Sequence, residues 1–374
     1  MTDDNKLLLD IAFSMTRGAT PRILERMDEL SMSKAEFFDL PTPDLSRRLS
    51  LTARHIIRKE ERDAAMARAR VEMAFVNKNK IRVLALGNED YPRRLLQCHD
   101  APLAIYVLGN ADLNESKAIS LVGSRRATPI GTNFTKKIVG DLAAYGLKFN
   151  VVSGLAYGID AAAHAAAIEY HQPTIAVVAH GLNTIYPSQH RNLAKAIIDN
   201  GGAIISEYPN GTRPFRANFL ERNRIIAALS DVVIVVESEI KGGAMSTANQ
   251  AFNYDRDVMA MPGRVTDPMS AGCNLLIRKN KASMVTAAAD VAELMDWSPK
   301  GVKIDFSQRS LFPELSGDEE SIYNLLKTST DPMSLDDIHA RLAIPMPSLL
   351  SIIGEMEFDG IVAKIPGNRV IPIL

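Results

Sequence analysis

The residues of this chain best placed to do chemistry are glycines and arginines that stand where short apolar runs end. SLVGSRRATPIG, residues 120–131, sets Gly123-Ser124-Arg125-Arg126 between a strand-like run and a helix-like one. Gly123 permits a tight turn, Ser124 and free backbone N–H groups can donate to phosphate oxygens, and the planar fork of Arg125 can grip one. The next glycine is Gly131, and two arginines stand where a backbone would have to approach a pyrophosphate. The pattern is therefore wrong for a dinucleotide cofactor.

Three further stretches have the same placement. SGLAYGID, residues 153–160, carries Gly154 and Gly158 into AAAHAAA, a helix thin enough to press tightly on a sheet. His164 in that helix reads as a packed residue, because no Ser or Cys nucleophile has a defined partner to it. PNGTRPFRANFLERNR, residues 209–224, holds four arginines, two phenylalanines and three asparagines with one acid. Arginines interleaved with rings suit a single nucleic-acid strand, with charge for its backbone and π-faces for unstacked bases. The same residues also fit a loop whose rings plug the core and whose arginines pair with Glu207 or Glu221. Lys241-Gly242-Gly243-Ala244 offers one more anion-binding turn before a helix, with Glu237 and Glu239 nearby. No nucleophile, metal cluster or ribose-binding acid accompanies these turns, which points to binding rather than turnover and implies no cofactor.

The elements that must position these turns are legible in the apolar pattern. From about residue 81, IRVLAL, AIYVLG, KAISLV, FNVVS, TIAVVA, AIISE, DVVIVVES and DVMAMPG are short β-branched runs, alternating with segments of helical period. This predicts an α/β fold, a mainly parallel sheet with helices on both faces, whose ligands lie outside the carboxyl ends of the strands. Residues 1–75 read as short helices broken by Gly18, Pro21, Pro41 and Pro43, the last one strongly charged and packed by one face. A core over 76–298, a linker over 299–316 rich in Pro, Ser and charge, and a winged helix of three helices and a hairpin over 317–374 complete the expected organisation.

Composition bounds the partners. The 374 residues, 46% of them hydrophobic, can bury a sizeable core, and the net charge of −1 excludes a globally polybasic protein. From Asp318 onward nine Asp or Glu face four Lys or Arg, and residues 347–358, the expected recognition helix, have no basic residue. Phosphate contacts supply most nonspecific affinity, so the tail reads as a protein-contact module rather than a DNA reader. Cys98 and Cys273 are far apart and outside any CxxC, and no apolar run approaches the roughly 18–20 residues of a membrane span. The N-terminus MTDDNK is not the basic region of a signal peptide, so a cytoplasmic protein with no membrane partner is expected.

Taken together, LVGSRRAT, SGLAYGIDAAAH, GLNTIYPSQHRNLA, SEYPNGTRPFRANFLERNRIIAALS, VVIVVES with GGAMSTANQA, and VMAMPG followed by SAGCNLLI resemble the DNA-processing protein A (DprA/Smf) family across nearly the whole chain. The resemblance implies an extended Rossmann-like core, a helical N-terminal domain of sterile-alpha-motif type and a winged-helix tail. It also implies binding of single-stranded DNA, a homodimer, loading of the recombinase RecA during natural transformation, and no catalytic activity. Carried onto these positions, it assigns DNA contacts to Gly123, Ser124, Arg125, Gly154, Gly211, Phe215, Asn218, Phe219, Arg222, Arg224, Lys241, Gly242 and Gly243, and a dimer contact to Asn274, Leu275, Leu276 and Ile277. Asn210, where many members have proline or lysine, and TRGATPRI, in place of a glycine-rich turn in the helical domain, are departures from the family pattern. The competing class is an N-glycosidic phosphoribohydrolase on a related fold, which would use Glu207 or Glu237. A third is a transcription factor acting through the tail.

Overall fold

The structure is a computed structural model that describes residues 3–297, 315, 317–329, 332–358, 361–365 and 369–372. Two compact units divide the chain, Met1–Lys300 and Gly301–Leu374. Apart from Leu315, the linker expected over 299–316 lies outside the described residues.

The first unit opens with α1 (Asp3–Met15), α2 (Pro21–Glu29), α3 (Lys34–Asp39), α4 (Thr42–Arg48) and α5 (Lys59–Lys78). Helix α2 starts where its sequence says it should: Thr20 caps the Ile23 amide at 3.3 Å, and Pro21, with no N–H to lose, takes the first position. The charge on α5 is not all solvated. Its buried stripe is Arg62, Ala65, Ala69, Glu72 and Val76, with ionisable residues at two of the core positions. Arg62 resolves its own burial by donating to the carbonyls of Phe37 and Leu40, which closes the carboxyl end of α3. Helix α5 runs through position 75, and the helical layer shares a core with Ile81 and Tyr106, so helices and sheet belong to one unit.

The sheet contains β1 (Arg82–Ala85), β2 (Ala104–Gly109), β3 (Ala118–Val122), β4 (Asn150–Ser153), β5 (Thr174–Val178), β6 (Ala203–Ser206), β7 (Val232–Val235), β8 (Asp257–Ala260) and β9 (Ser283–Met284). Its order is β1-β2-β6-β5-β4-β3-β7-β8-β9. Strands β3 to β7 are buried at every position, as continuous β-branched runs covered on both faces must be. Pairing is parallel from β6 across to β9, whereas β1–β2 and β2–β6 are antiparallel. Between the strands lie α6 (Arg93–Leu96), α7 (Pro129–Ala144), α8 (Ile159–Glu169), α9 (Arg191–Asp199), α10 (Arg216–Ala228), α11 (Gly243–Asn253), α12 (Ala271–Arg278) and α13 (Ala288–Leu294). His164 is fully buried on α8, its Nδ1 2.7 Å from Thr174 Oγ1, and burial pushes its pKa down to about 3, so it is a neutral packing residue.

The second unit has α14 (Asp318–Thr328), β10 (Met333–Ser334), α15 (Leu335–Leu342), α16 (Met346–Phe358), β11 (Val362–Ile365) and β12 (Arg369–Pro372), with strand order β10-β12-β11. Helix, strand, two helices and a hairpin are the parts of a winged helix. Ile322, Leu326, Ile338, Leu349, Ile353 and Val370 form its core. The outward residues of α16 include Leu350, Glu355 and Glu357. Among the described residues, no helix is long and apolar enough to cross a membrane.

Candidate nucleic-acid interface

The chain fills the sheet from β3 outward through β4 and β5 to β6, then returns to the other side of β3 to lay down β7, β8 and β9. Direction therefore reverses between β3 and β7, and a crevice must open beyond their carboxyl ends. A cavity of about 610 Å³ lies there. It gathers Gly123, Ser124 and Arg125 from the end of β3, Phe219 and Arg222 from α10, and Lys241, Gly242 and Gly243 from the start of α11. Three separate stretches of sequence, the first ending at Arg125 and the last beginning at Lys241, thus meet around one space.

Arg125 and Lys241 are exposed and have no carboxylate partner among the described residues, whereas Arg126 is paired with Glu239 at 2.9 Å. The Arg125 guanidinium lies 5.4 Å from the Phe219 ring centroid, so a cation–π contact holds it over the opening. The first turn of α11 contributes the amides that no helix can satisfy internally, together with the positive end of its dipole. One expectation is corrected. The Ser124 amide is not free for an anion, because it donates to the Glu237 carbonyl at 2.7 Å; only the Ser124 hydroxyl, which accepts from the Arg126 amide at 3.0 Å, retains a proton to offer.

This loop is held from below by SGLAYGID. The Ile159 amide donates to the Ser124 carbonyl at 3.2 Å, and Gly158 adopts φ 78° with a Cβ position that would overlap that carbonyl. Gly154, expected to touch DNA, has another task. A Cβ there would collide with the guanidinium of Arg222 and the carboxylate of Asp160, so it is small to let them in.

Residues 209–224, read from sequence as a strand-tracking segment, are a loop followed by the first turns of α10, and the helix separates their side chains. Arg222 is 3% exposed and donates to the carbonyls of Gly154, at 2.7 Å, and Val177. Arg224 points away from the cavity, paired with Glu207 and donating to the Asp100 carbonyl at 2.7 Å. It is therefore not brought to the anion site. Phe215 is 61% exposed at the start of α10 outside the cavity, Asn218 donates to the Ala179 carbonyl at 3.3 Å, and Gly211 sits in the adjoining loop at φ 80°. Of the dimer residues, Leu276 is buried in the chain's own core and Asn274 is bonded to the main chain of Gly263, which leaves Leu275 and Ile277 partly exposed.

The acids proposed for hydrolysis are both engaged elsewhere. Glu207 holds Arg224, and Glu237 caps α7 by accepting from the Thr128 amide at 2.9 Å and from its hydroxyl. Neither lines the cavity.

The loop ahead of α10 is fastened to the helical layer. The Asn210 amide donates to both carboxylate oxygens of Glu72, at 2.9 and 3.1 Å, and the Gly211 amide to Asn183 Oδ1 at 2.9 Å. Burial raises the Glu72 pKa, the Asn210 bond and Arg68 opposing it. A folded-state value above the unfolded one means that the native state holds the proton more tightly, so this contribution is present below the unfolded pKa near 4.3 and is lost as pH rises through the raised value. Glu72→Gln keeps the acceptor and removes the titration. In urea unfolding the variant should match or exceed wild type at pH 7, and wild type should gain on it as pH falls toward 5.

Residues 82–296 match the family model described as DNA recombination-mediator protein A. The chain belongs to that family. Residues 309–368 match the DprA winged helix domain. Protein Smf of Escherichia coli is 32% identical over 326 residues, 84% of each chain. The solved DprA of Streptococcus pneumoniae superposes with a TM-score of 0.64 at 29% identity, over 78% of this chain and 98% of that one. DprA of Helicobacter pylori, described for its single-stranded DNA binding mode, gives 0.52 at 30% identity over 58% and 96%.

Sequence reasoning gave no site role to Tyr186 or Arg216, which line the same cavity; Asp160, readable from sequence as a first-turn acid of α8 that would repel a phosphate, lines it as well. The Tyr186-Pro187 pair inside GLNTIYPSQHRNLA was the available signal for the tyrosine.

Proposed function

We propose that this recombination mediator binds single-stranded DNA, with a backbone phosphate in the cavity between Arg125, Lys241 and the first turn of α11. The observation that carries the reading is that Arg125 and Lys241, two exposed cations with no ion-pair partner among the described residues, flank one cavity whose wall includes Phe219. Charge of this kind holds a phosphate without reading sequence, while a duplex would offer no unstacked base to a ring. The strand then lies along the carboxyl edge of the sheet. Of the acids lining the cavity, Asp160 faces Arg222 and Glu239 is paired with Arg126, and on this reading the site holds and hands over the strand rather than cutting it.

The finer role is the one that resemblance to the family implies. A cytoplasmic homodimer, pairing through the exposed parts of Leu275 and Ile277, would hold two strand segments, gain affinity through effective concentration, and load RecA on incoming DNA. The acidic winged helix serves a protein contact.

Binding of labelled single- and double-stranded oligonucleotides across a salt series tests this reading. Neutralising about three or four phosphates gives a log–log slope near −2 to −3 on the single strand, with clear preference over duplex. Equal affinity for the duplex, or a slope near zero, would overturn it.

A further inference from the structure

Tyr186, in the cavity wall, and Tyr157, next in sequence to the cavity-lining Ala156, are only partly covered by their packing. Tyr157 and Tyr186 are 41% and 46% exposed, although a ring of that size gains most by burial. Tyr186 lines the cavity, and its ring lies 5.7 Å from that of Phe219 at 57°, beyond the guanidinium of Arg125 on the same phenylalanine. Tyr157 stands 4.9 Å from His190 at 69° and donates its hydroxyl to Gln189 Oε1 at 2.7 Å. Edge-to-face pairs of this kind fix a ring without covering both its faces.

Both rings are held in advance of any ligand. The loop carrying Tyr186, Gln189 and His190 is fastened at both ends: the Tyr186 amide lies 3.2 Å from His180 Nε2, and His190 Nδ1 lies 2.9 Å from the Leu155 carbonyl. His180 is itself fully buried, and its carbonyl accepts from the Ser206 hydroxyl at 2.6 Å. Exposed rings on an anchored loop lose little conformational freedom when something stacks on them.

We propose that Tyr157 and Tyr186 form a stacking platform for unpaired nucleobases, adjoining the phosphate cavity through Tyr186. This deepens the single-strand reading and rests on it. The platform gives the site a way to prefer single strands that charge alone does not supply, because a paired base has no free face to offer. The chemistry it recognises is an unpaired base attached to the phosphate next to the one held by Arg125. It is indifferent to base identity, since every base has a π-face.

An oligothymidine and an abasic oligonucleotide of equal length separate the platform from the phosphate site. Tyr157→Ala and Tyr186→Ala should each weaken oligothymidine binding roughly tenfold, within the range for loss of one base–aromatic stack, and leave abasic binding unchanged. Tyr157→Phe and Tyr186→Phe, which keep the ring, should retain affinity, and Arg125→Ala should weaken both oligonucleotides together. Equal loss on both oligonucleotides from the tyrosine variants would mean that the rings only shape the loop, and no loss on either would mean that they face solvent idly; each result overturns the platform. Failure of wild type to bind either oligonucleotide would overturn the single-strand reading itself.

Discussion

Arg125→Ala weakens single-strand binding about tenfold to a hundredfold and lowers the magnitude of the log–log salt slope by about 0.7, the share of one phosphate on a single strand. Arg125→Glu brings binding to the background at about 0.15 M salt, because it adds repulsion where an attraction was. The size of the effect comes from what surrounds the residue. Arg125 has no acid to return to, it is held over Phe219 at 5.4 Å, and its neighbour Arg126 is neutralised by Glu239. Arg126→Ala is therefore the control, with a small effect. Fluorescence anisotropy across a salt series measures all three. An unchanged slope for Arg125→Ala would place the phosphate contact elsewhere.

Arg222→Leu destabilises the first unit by about 3–5 kcal/mol, the cost of removing a buried cation that bonds two carbonyls and offsets a buried carboxylate. Such a loss is a large part of the roughly 5–15 kcal/mol that holds a folded domain. Arg222 joins the carbonyl ends of two strands, β4 through Gly154 and β5 through Val177, and faces the buried Asp160. Burial brings its pKa down to about 10, with Asp160 pulling the other way, and burial raises that of Asp160 while Arg222 opposes the rise. Without the cation, two carbonyls lose a donor and a carboxylate is left in the interior with no countercharge. Combining Arg222→Leu with Asp160→Asn should recover part of the loss, since the second change removes the stranded charge. Urea unfolding midpoints report the three variants. Simple additivity of the two substitutions would show that the groups are energetically independent.

Together the two arginines divide the site's work. Arg222 builds the floor on which the SGLAYGID loop and, through Ser124 and Ile159, the Arg125 loop are set. Arg125 reaches out of it. A variant at Arg222 would lose DNA binding as well, but through unfolding, and the urea measurement distinguishes the two causes.

Much of this architecture was legible in the amino-acid sequence because burial on both faces leaves a plain mark. The runs that became β3 to β8 are continuous and β-branched, and glycines and arginines collect just beyond their ends. Strand β9, only Ser283 and Met284, carries no such mark, and its residues are exposed. Nor could pattern show that β1 and β2 run antiparallel on the outer edge, since an apolar run is the same read in either direction. Helix α10 was hidden for a different reason. One side of its first turns faces a polar cavity and the other meets Glu207, so no apolar stripe repeats at helical spacing until Ile225 and Ile226.

The sequence by itself determined the parallel centre of the sheet and the four turns at its edge, because each depends on local composition and periodicity. What the tertiary structure decided is which charge remains free. Arg222 and Arg224 are two positions apart and look alike in a string, yet an α-helix turns about 200° over that interval. One is buried under Gly154 and the other is sent to Glu207, while Arg125 and Lys241, far apart in the chain, face the same opening. Whether an arginine meets a carbonyl, an acid or open solvent depends on residues from other strands, and only folding brings those within reach.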